Sequence, residues 1–154
     1  MKEHIIKKLD KTNLKEFRFI AETHEDMPRG WISDYTPDEN EIINTENRLI
    51  ELHKTLDIFC MVAEVDGSIV SFIWAEINKQ NVKVIDIMSL WTDKDYRNKG
   101  IATQLKNELE IWCKTSTKAY KIRTTISSKN QSMILLNEKL GYRTDYYKMS
   151  KKLN

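Results

Sequence analysis

Six residues, Arg97-Asn98-Lys99-Gly100-Ile101-Ala102, lie between an apolar β-rich run and an amphipathic stretch, and that order suits the binding of an anion. At the start of a helix several backbone N–H groups lack partners and the macrodipole is positive, so a glycine-containing turn there presents donors to phosphate oxygens. Gly100 carries no side chain where an anion would approach, Ala102 almost none, and Arg97 and Lys99 add positive charge. The same features also describe an ordinary solvated loop with one capping glycine. The stretch is neither a GK[ST] phosphate loop nor a GxGxxG dinucleotide fingerprint. Just upstream, a single acid, Asp86, interrupts the apolar run Val84-Ile85-Asp86-Ile87-Met88.

A turn of this kind needs a strand before it and a helix after it. Residues 82–91 read as a strand, and Ile101, Leu105, Leu109 and Trp112 recur at helical spacing through about residue 114. The segment 119–126 is again β-rich, which frames the turn in a strand–helix–strand crossover. Upstream, 58–65 and 69–77 form a hairpin across Asp66-Gly67, and a turn over 78–81 adds the next antiparallel strand. Residues 3–9 predict a further strand. Helices are predicted from Thr12 or Asn13 to about His24, and from Pro37 or Asp38 to about Lys54, the second turning Ile42, Ile43, Leu49, Ile50 and Leu52 inward. A last helix covers about 131–139 with Gly141 at its C-terminal cap, and two short strands, near Arg143 and over 147–150, close the pattern.

Length and composition bound the reading. The 154 residues are 40% apolar and 31% charged with four Gly and two Pro, which excludes disorder, collagen and low-complexity classes and leaves one compact domain, 1–154. Lys plus Arg number 25 against 23 Asp plus Glu, so the broad cationic field of a nucleic-acid binder is missing, and a DNA-binding reading is remote. No apolar run is long enough for a membrane helix, and the opening MKEHIIKKLDKTNLKEF turns charged too early for a signal peptide, so a cytoplasmic location is expected. Cys60 and Cys113 have neither metal nor disulfide spacing and read as core thiols; no metal is expected. His4, His24 and His53 read as surface or helix-end residues. Ser127-Ser128 lacks a nucleophile elbow, which favours direct attack over acyl-enzyme chemistry.

Two motifs together carry a resemblance. Arg97 to Ala102 fits [QR]-x-x-G-x-[GA], with Leu90-Trp91-Thr92 in the place of the preceding L-x-V, and Asn130 to Tyr142, NQSMILLNEKLGY, is similar to N-x-x-A-x-x-L-Y-x-x-x-G-[FY]. At this separation, with a strand between them, they resemble the GNAT superfamily of acyl-CoA-dependent N-acetyltransferases. The resemblance implies an α/β (α+β) fold: a mixed, mostly antiparallel sheet of about six to seven strands, splayed after the fourth, with about four flanking helices. It implies acetyl-CoA as cosubstrate, the backbone of Leu90, Trp91 and Thr92 along the pantetheine arm, and the turn Arg97, Asn98, Lys99, Gly100, Ile101, Ala102 and Thr103 around the pyrophosphate. Asn130 matches a pantetheine-contacting position and is equally a helix cap. Asn137 stands where the family has its acidic Tyr, so it is expected to contact the thioester sulfur without acting as a strong acid. Tyr142, Tyr146 and Tyr147 are substitutes for that acid or simple packing residues.

The acceptor side follows from the same resemblance and from charge. Asp86 lies four residues before Leu90, where some relatives carry a catalytic Glu. Alternation would place it with Val84, Met88 and Leu90, and apolar neighbours would raise its pKa, making it a candidate base; the alternative is a strand acid facing solvent. Glu76 and Glu64 are weaker candidates. Six acids against one base between Trp31 and Glu51 suit a cationic amine, and Trp31 and Tyr35 are candidate acceptor-wall residues or loop anchors. The expected partner is a small amine such as an amino acid, polyamine or amino sugar. A protein N-terminus or lysine as acceptor, a non-catalytic acyl-CoA-binding module, and a homodimer all stay open.

Overall fold

A computed structural model describes residues 3–153. Among them a sheet of five strands runs in chain order: β1 (Ile5–Lys8), β2 (Ile58–Val65), β3 (Ser68–Ile77), β4 (Val84–Thr92) and β5 (Lys121–Thr124). The first three pairings are antiparallel and β4–β5 is parallel, because the helix between them carries the chain back to the same end. Helices α1 (Leu14–Asp26), α2 (Glu39–Thr55), α3 (Ile101–Ser116) and α4 (Gln131–Lys139) complete the order. Asn13 and Asp38 cap α1 and α2 by accepting from first-turn amides. Asp66 and Gly67 both take positive φ, the conformation a two-residue hairpin turn requires.

Alternation along β3 builds two cores. Ile73 and Ala75 pack with Ile85, Ile87, Leu90, Leu105 and Leu109 on the α3 face, while Phe72 and Trp74 pack with Phe17, Ile20 and Leu49 on the face of α1 and α2. In α2, Ile42 and Leu49 are seven residues apart and buried together; Ile43, expected inward, is 40% exposed because it lies one helical step off that face.

Two expectations are corrected. The strands near Arg143 and over 147–150 do not form. Tyr146, Tyr147 and Met149 are each exposed, so little burial offsets the entropy of fixing that segment, and it meets the short β5 through a Lys121–Asp145 ion pair of 2.5 Å. The second correction concerns β4. Trp74 pairs with Ser89 but Ala75 pairs with Ile87, leaving Met88 as an extra residue in a bulge. Side-chain parity therefore reverses there. Leu90 joins Ile85 and Ile87 on the α3 face, and Asp86 shares the α1–α2 face with Met88 and Trp91 rather than with Leu90.

Leu105 has no exposed surface and locks α3 to the sheet. Leu105→Ala should destabilise the fold by about 2–5 kcal/mol, the cost of a large buried cavity, read as a lower midpoint in urea unfolding with an unchanged slope.

Candidate active site

Pairing between β4 and β5 stops at Ile87↔Thr124, while β4 continues to Thr92. The sheet thus opens beside Met88 to Thr92. The far end of β4 is held from the β3 side, where Ser71 Oγ donates to the Trp91 carbonyl at 2.6 Å and meets Thr92 Oγ1 at 2.8 Å. Trp91 packs its ring on Phe72 and Phe19, and Leu90 is buried against α3.

The turn after β4 is braced by its own side chains. Asp93 caps the 3-10 turn Lys94–Tyr96, Arg97 Nε donates to the Thr92 carbonyl at 3.0 Å, and Lys99 Nζ donates to the Asp95 carbonyl at 2.7 Å while lying over the Tyr96 ring. Both cations are thus anchored on neutral carbonyls and keep their charge for a ligand. Asn98 and Gly100 are left-handed, with φ of 60° and 78°. Gly100 is the N-cap of α3 and supplies no side-chain acceptor; the first bond of the helix is Gln104 N to the Gly100 carbonyl. The amides of Ile101, Ala102 and Thr103 therefore emerge as a donor cluster beside Arg97 and Lys99, an arrangement whose charge and geometry suit an anion.

Helix α4 follows β5. Asn130 caps it, its Oδ1 accepting from Met133 N at 3.3 Å and from the Ser132 hydroxyl at 3.2 Å. Asn137 is 5% exposed, and its buried Oδ1 accepts no hydrogen bond from the described residues. Buried polar atoms are rarely left this way without reason. Lys106, which the sequence reading passed over, is 4% exposed on α3, with Nζ 4.0 Å from the Tyr142 ring centre. Burial lowers its pKa to about 8, and burial with the nearby Cys113 and Glu110 pushes the Tyr142 phenol up to about 12. Helical spacing could have found this lysine, because Lys106 precedes Leu109 by three residues and Cys113 by seven and so falls at the edge of the buried stripe of α3.

On the α1–α2 face a cleft of about 700 Å³ is lined by Arg48, Glu51, Glu76, Asn78, Asp86 and Met88, among others. Asp86 lies in register with Glu76 on one side and Arg123 on the other. Arg123 Nε reaches its Oδ1 at 2.6 Å and Nη2 its Oδ2 at 3.0 Å, and Asn78 Nδ2 adds a bond of 2.7 Å. Burial pushes the Asp86 pKa up, but the bonds from Arg123 and Asn78 and the charge of Arg123 outweigh it, so the net shift is downward. The expected rise in pKa is thereby corrected: Arg123 was out of sight until the parallel register was known.

Trp31 and Tyr35 do not line this cleft. The Trp31 carbonyl accepts from Lys129 Nζ at 3.4 Å, which brings the α1–α2 loop against the turn before α4, and Tyr35 has its phenol pKa raised by burial and by Glu41, Glu25 and Asp26. His24 and His53 lie in the last turns of α1 and α2, at helix ends as expected, and both face inward. His24 packs on Trp74, its ring 5.1 Å away and its pKa lowered by burial; His53 sits edge-on to Phe17 and bonds the Leu49 carbonyl at 2.7 Å. Burial raises the thiol pKa of both cysteines, that of Cys113 to about 11.

Comparison with known proteins gives a family and a fold. A model of the Acetyltransferase (GNAT) family matches residues 17–142. A Staphylococcus aureus protein described as a GNAT family acetyltransferase is 27% identical over 78% of this chain and 98% of its own, with a TM-score of 0.70. AAC(6')-Iy, solved with the bisubstrate analogue CoA-S-monomethyl-acetylneamine, is 18% identical over 99% of both chains, TM-score 0.70. Glucosamine-6-phosphate N-acetyltransferase from Arabidopsis thaliana is 20% identical over 99% of both, TM-score 0.67. No curated protein matches by sequence.

The Asp86–Arg123 pair sets a pH dependence. Because the folded pKa of Asp86 lies below its ordinary 3.8, the unfolded chain binds a proton more readily. The pair's stabilisation is therefore present above about pH 4 and is lost as pH falls through the folded pKa. Carboxyl NMR should show Asp86 titrating below 3.8 in the wild type and moving upward in Arg123→Gln.

Proposed function

This chain belongs to the GNAT family of acetyltransferases, and we infer that it moves an acetyl group from acetyl-CoA to a primary amine of a small molecule by direct attack. The observation that supports this reading is that the opening between β4 and β5 leads to a left-handed Gly100 turn where unpaired first-turn amides and two cations lie together. The residues present fit the cofactor. The amides of Ile101, Ala102 and Thr103, with Arg97, Lys99 and the Asn98–Gly100 backbone, would hold its pyrophosphate. The exposed edge of Leu90, Trp91 and Thr92 would pair with its amide-rich arm, with Asn130 beside it. When bound, acetyl-CoA supplies a thioester, an activated acyl group with a leaving thiol of pKa ~8.5.

The protein's own residues then have limited tasks. An alkyl ammonium of pKa ~10 is neutral in about one part in a thousand at pH 7, so the acceptor must lose a proton before it attacks. Asp86 enters the mechanism in a changed role: held ionised by Arg123, it is a fixed negative charge that orients the water carrying the proton away, rather than a base that stores it. Asn137, a buried amide, offers a hydrogen bond to the sulfur as it leaves. Direct transfer is supported by the cysteines, since a buried thiol whose pKa is raised is a poor acyl carrier at neutral pH.

Acetyl-CoA at millimolar concentration should raise the melting temperature, since it binds only the folded chain. Gly100→Asp should weaken its binding more than tenfold with an unchanged circular dichroism spectrum; wild-type affinity in that variant would remove the turn from the site. Asn137→Ala should have two effects of opposite kind. Turnover, followed as free thiol release, falls by about one order of magnitude or less, as for one neutral hydrogen bond of ~1 kcal/mol. The cofactor-free protein meanwhile melts higher, because a buried oxygen that the described residues leave unbonded is removed. A thousandfold loss of turnover would mean that Asn137 does more than this.

A further inference from the structure

The cleft on the α1–α2 face contains two carboxylates from adjacent strands, Glu76 and Asp86, cross-strand partners that each meet an arginine. The two pairs are built differently. Arg123 takes both oxygens of Asp86 and Asn78 adds a third bond, so that carboxylate is saturated. Arg48 touches Glu76 through a single contact, Nη2 to Oε2 at 2.5 Å, and Oε1 is buried and accepts no hydrogen bond from the described residues. The Glu76 side chain is 8% exposed and that of Arg48 is 46% exposed, so the guanidinium lies on the solvent side of the carboxylate. Its Cζ is also 5.8 Å from the Trp74 ring centre. Trp74 and Glu76 are two residues apart on β3 and so face the same way. A half-used carboxylate beside an aromatic face is a seat for a cation, and a side chain of α2 now rests in it.

We propose that Glu76 is the cation subsite of the acceptor pocket, with the buried Trp74 ring packed behind it, that Arg48 is its placeholder, and that the acceptor is a diamine or polyamine. A second ammonium of that acceptor, not the one acetylated, displaces Arg48 and takes both oxygens of Glu76. The proposal rests on the acetyltransferase reading above. Its spacing follows from the strand: the unpaired edge of β4 begins at Met88, two residues and about 6–7 Å along from Asp86, the register partner of Glu76. An amine reacting at that edge would have its second ammonium in the seat after a spacer of a few carbons. Arg48 gives up little on leaving, since a guanidinium nearly half exposed keeps much of its hydration and its ion pair is correspondingly weak. Asp86 cannot take this role without breaking a bidentate pair.

The test is free thiol release from acetyl-CoA with 1,4-diaminobutane and spermidine against butylamine, an acceptor of matched length with one amine. The wild type should prefer the diamine at least tenfold in kcat/KM. Glu76→Gln should cut that preference at least tenfold, mainly through KM. Arg48→Met, which empties the seat at a half-exposed position, should lower KM for the diamine by a larger factor than it changes KM for butylamine. In both variants acetyl-CoA should raise the melting temperature as it does in the wild type. Equal use of diamine and monoamine by the wild type, an unchanged preference in Glu76→Gln, a raised diamine KM in Arg48→Met, or no thiol release with either polyamine overturns the subsite. If acetyl-CoA fails to raise the wild-type melting temperature, the acetyltransferase reading falls first and the subsite with it.

Discussion

The arrangement of this protein depends on where one parallel strand pair ends. Backbone N–H and C=O groups taken out of water must be bonded, and β4 meets that demand on the β3 side along its length but on the β5 side only as far as Ile87. Beyond that point β4 presents a polar edge inside the molecule, flanked by α3 on one face and by α1 and α2 on the other. Exposed edges are templates for pairing with another extended chain, and the arm of acetyl-CoA is such a chain in chemical terms. The bulge at Met88 belongs to the same constraint. It rotates the strand so that Leu90 drops into the α3 core while Met88 turns to the cleft, which separates the anchoring of β4 from its use.

Charge is distributed to match this opening. The cations that belong to the turn, Arg97 and Lys99, are bonded to carbonyl oxygens, so their positions are fixed without being neutralised. On the cleft side the opposite solution is used, with each of the two strand acids given an arginine and Glu51 of α2 given Lys54. A carboxylate left bare there would be costly at low exposure, and one fully paired is of little use to a ligand. Glu76 stands between these limits and Asp86 does not. Lys106 is a third arrangement, a buried ammonium eased by the Tyr142 face and by a lowered pKa rather than by an acid.

What was legible in the sequence was what local rules determine. The hairpin at Asp66-Gly67, an α1 cap at Thr12 or Asn13, of which Asn13 is the one used, and the span of α4 over Gln131–Lys139 each follow from a handful of adjacent residues. The Gly100 turn was legible because its composition and its position between a strand and a helix are both local. What failed needed pairing information. A bulge leaves no mark in a run such as VIDIM, so simple alternation put Asp86 on the same side as Leu90. The partner that lowers its pKa, Arg123, lies on a strand that joins only after a helical crossover. The histidines were legible as helix-end residues, but nothing near His24 in the chain announces its contact with Trp74. The last two strands failed for another reason, since the tail has β-compatible residues and no apolar surface to bury them against.

Asn137 shows how such a site is held at a cost to the fold. An apolar residue at this position on α4 would satisfy the packing and leave no buried oxygen without a bond from the described residues. The preceding and following residues do not need it, since the end of α4 is closed by backbone bonds from Leu140 and Tyr142 to the Asn137 carbonyl, which any residue would supply. The same reasoning applies to Glu76 on the opposite face. Each is a polar group whose bonding is incomplete within the described residues, and each such buried oxygen costs the fold stability that an apolar side chain would not forgo.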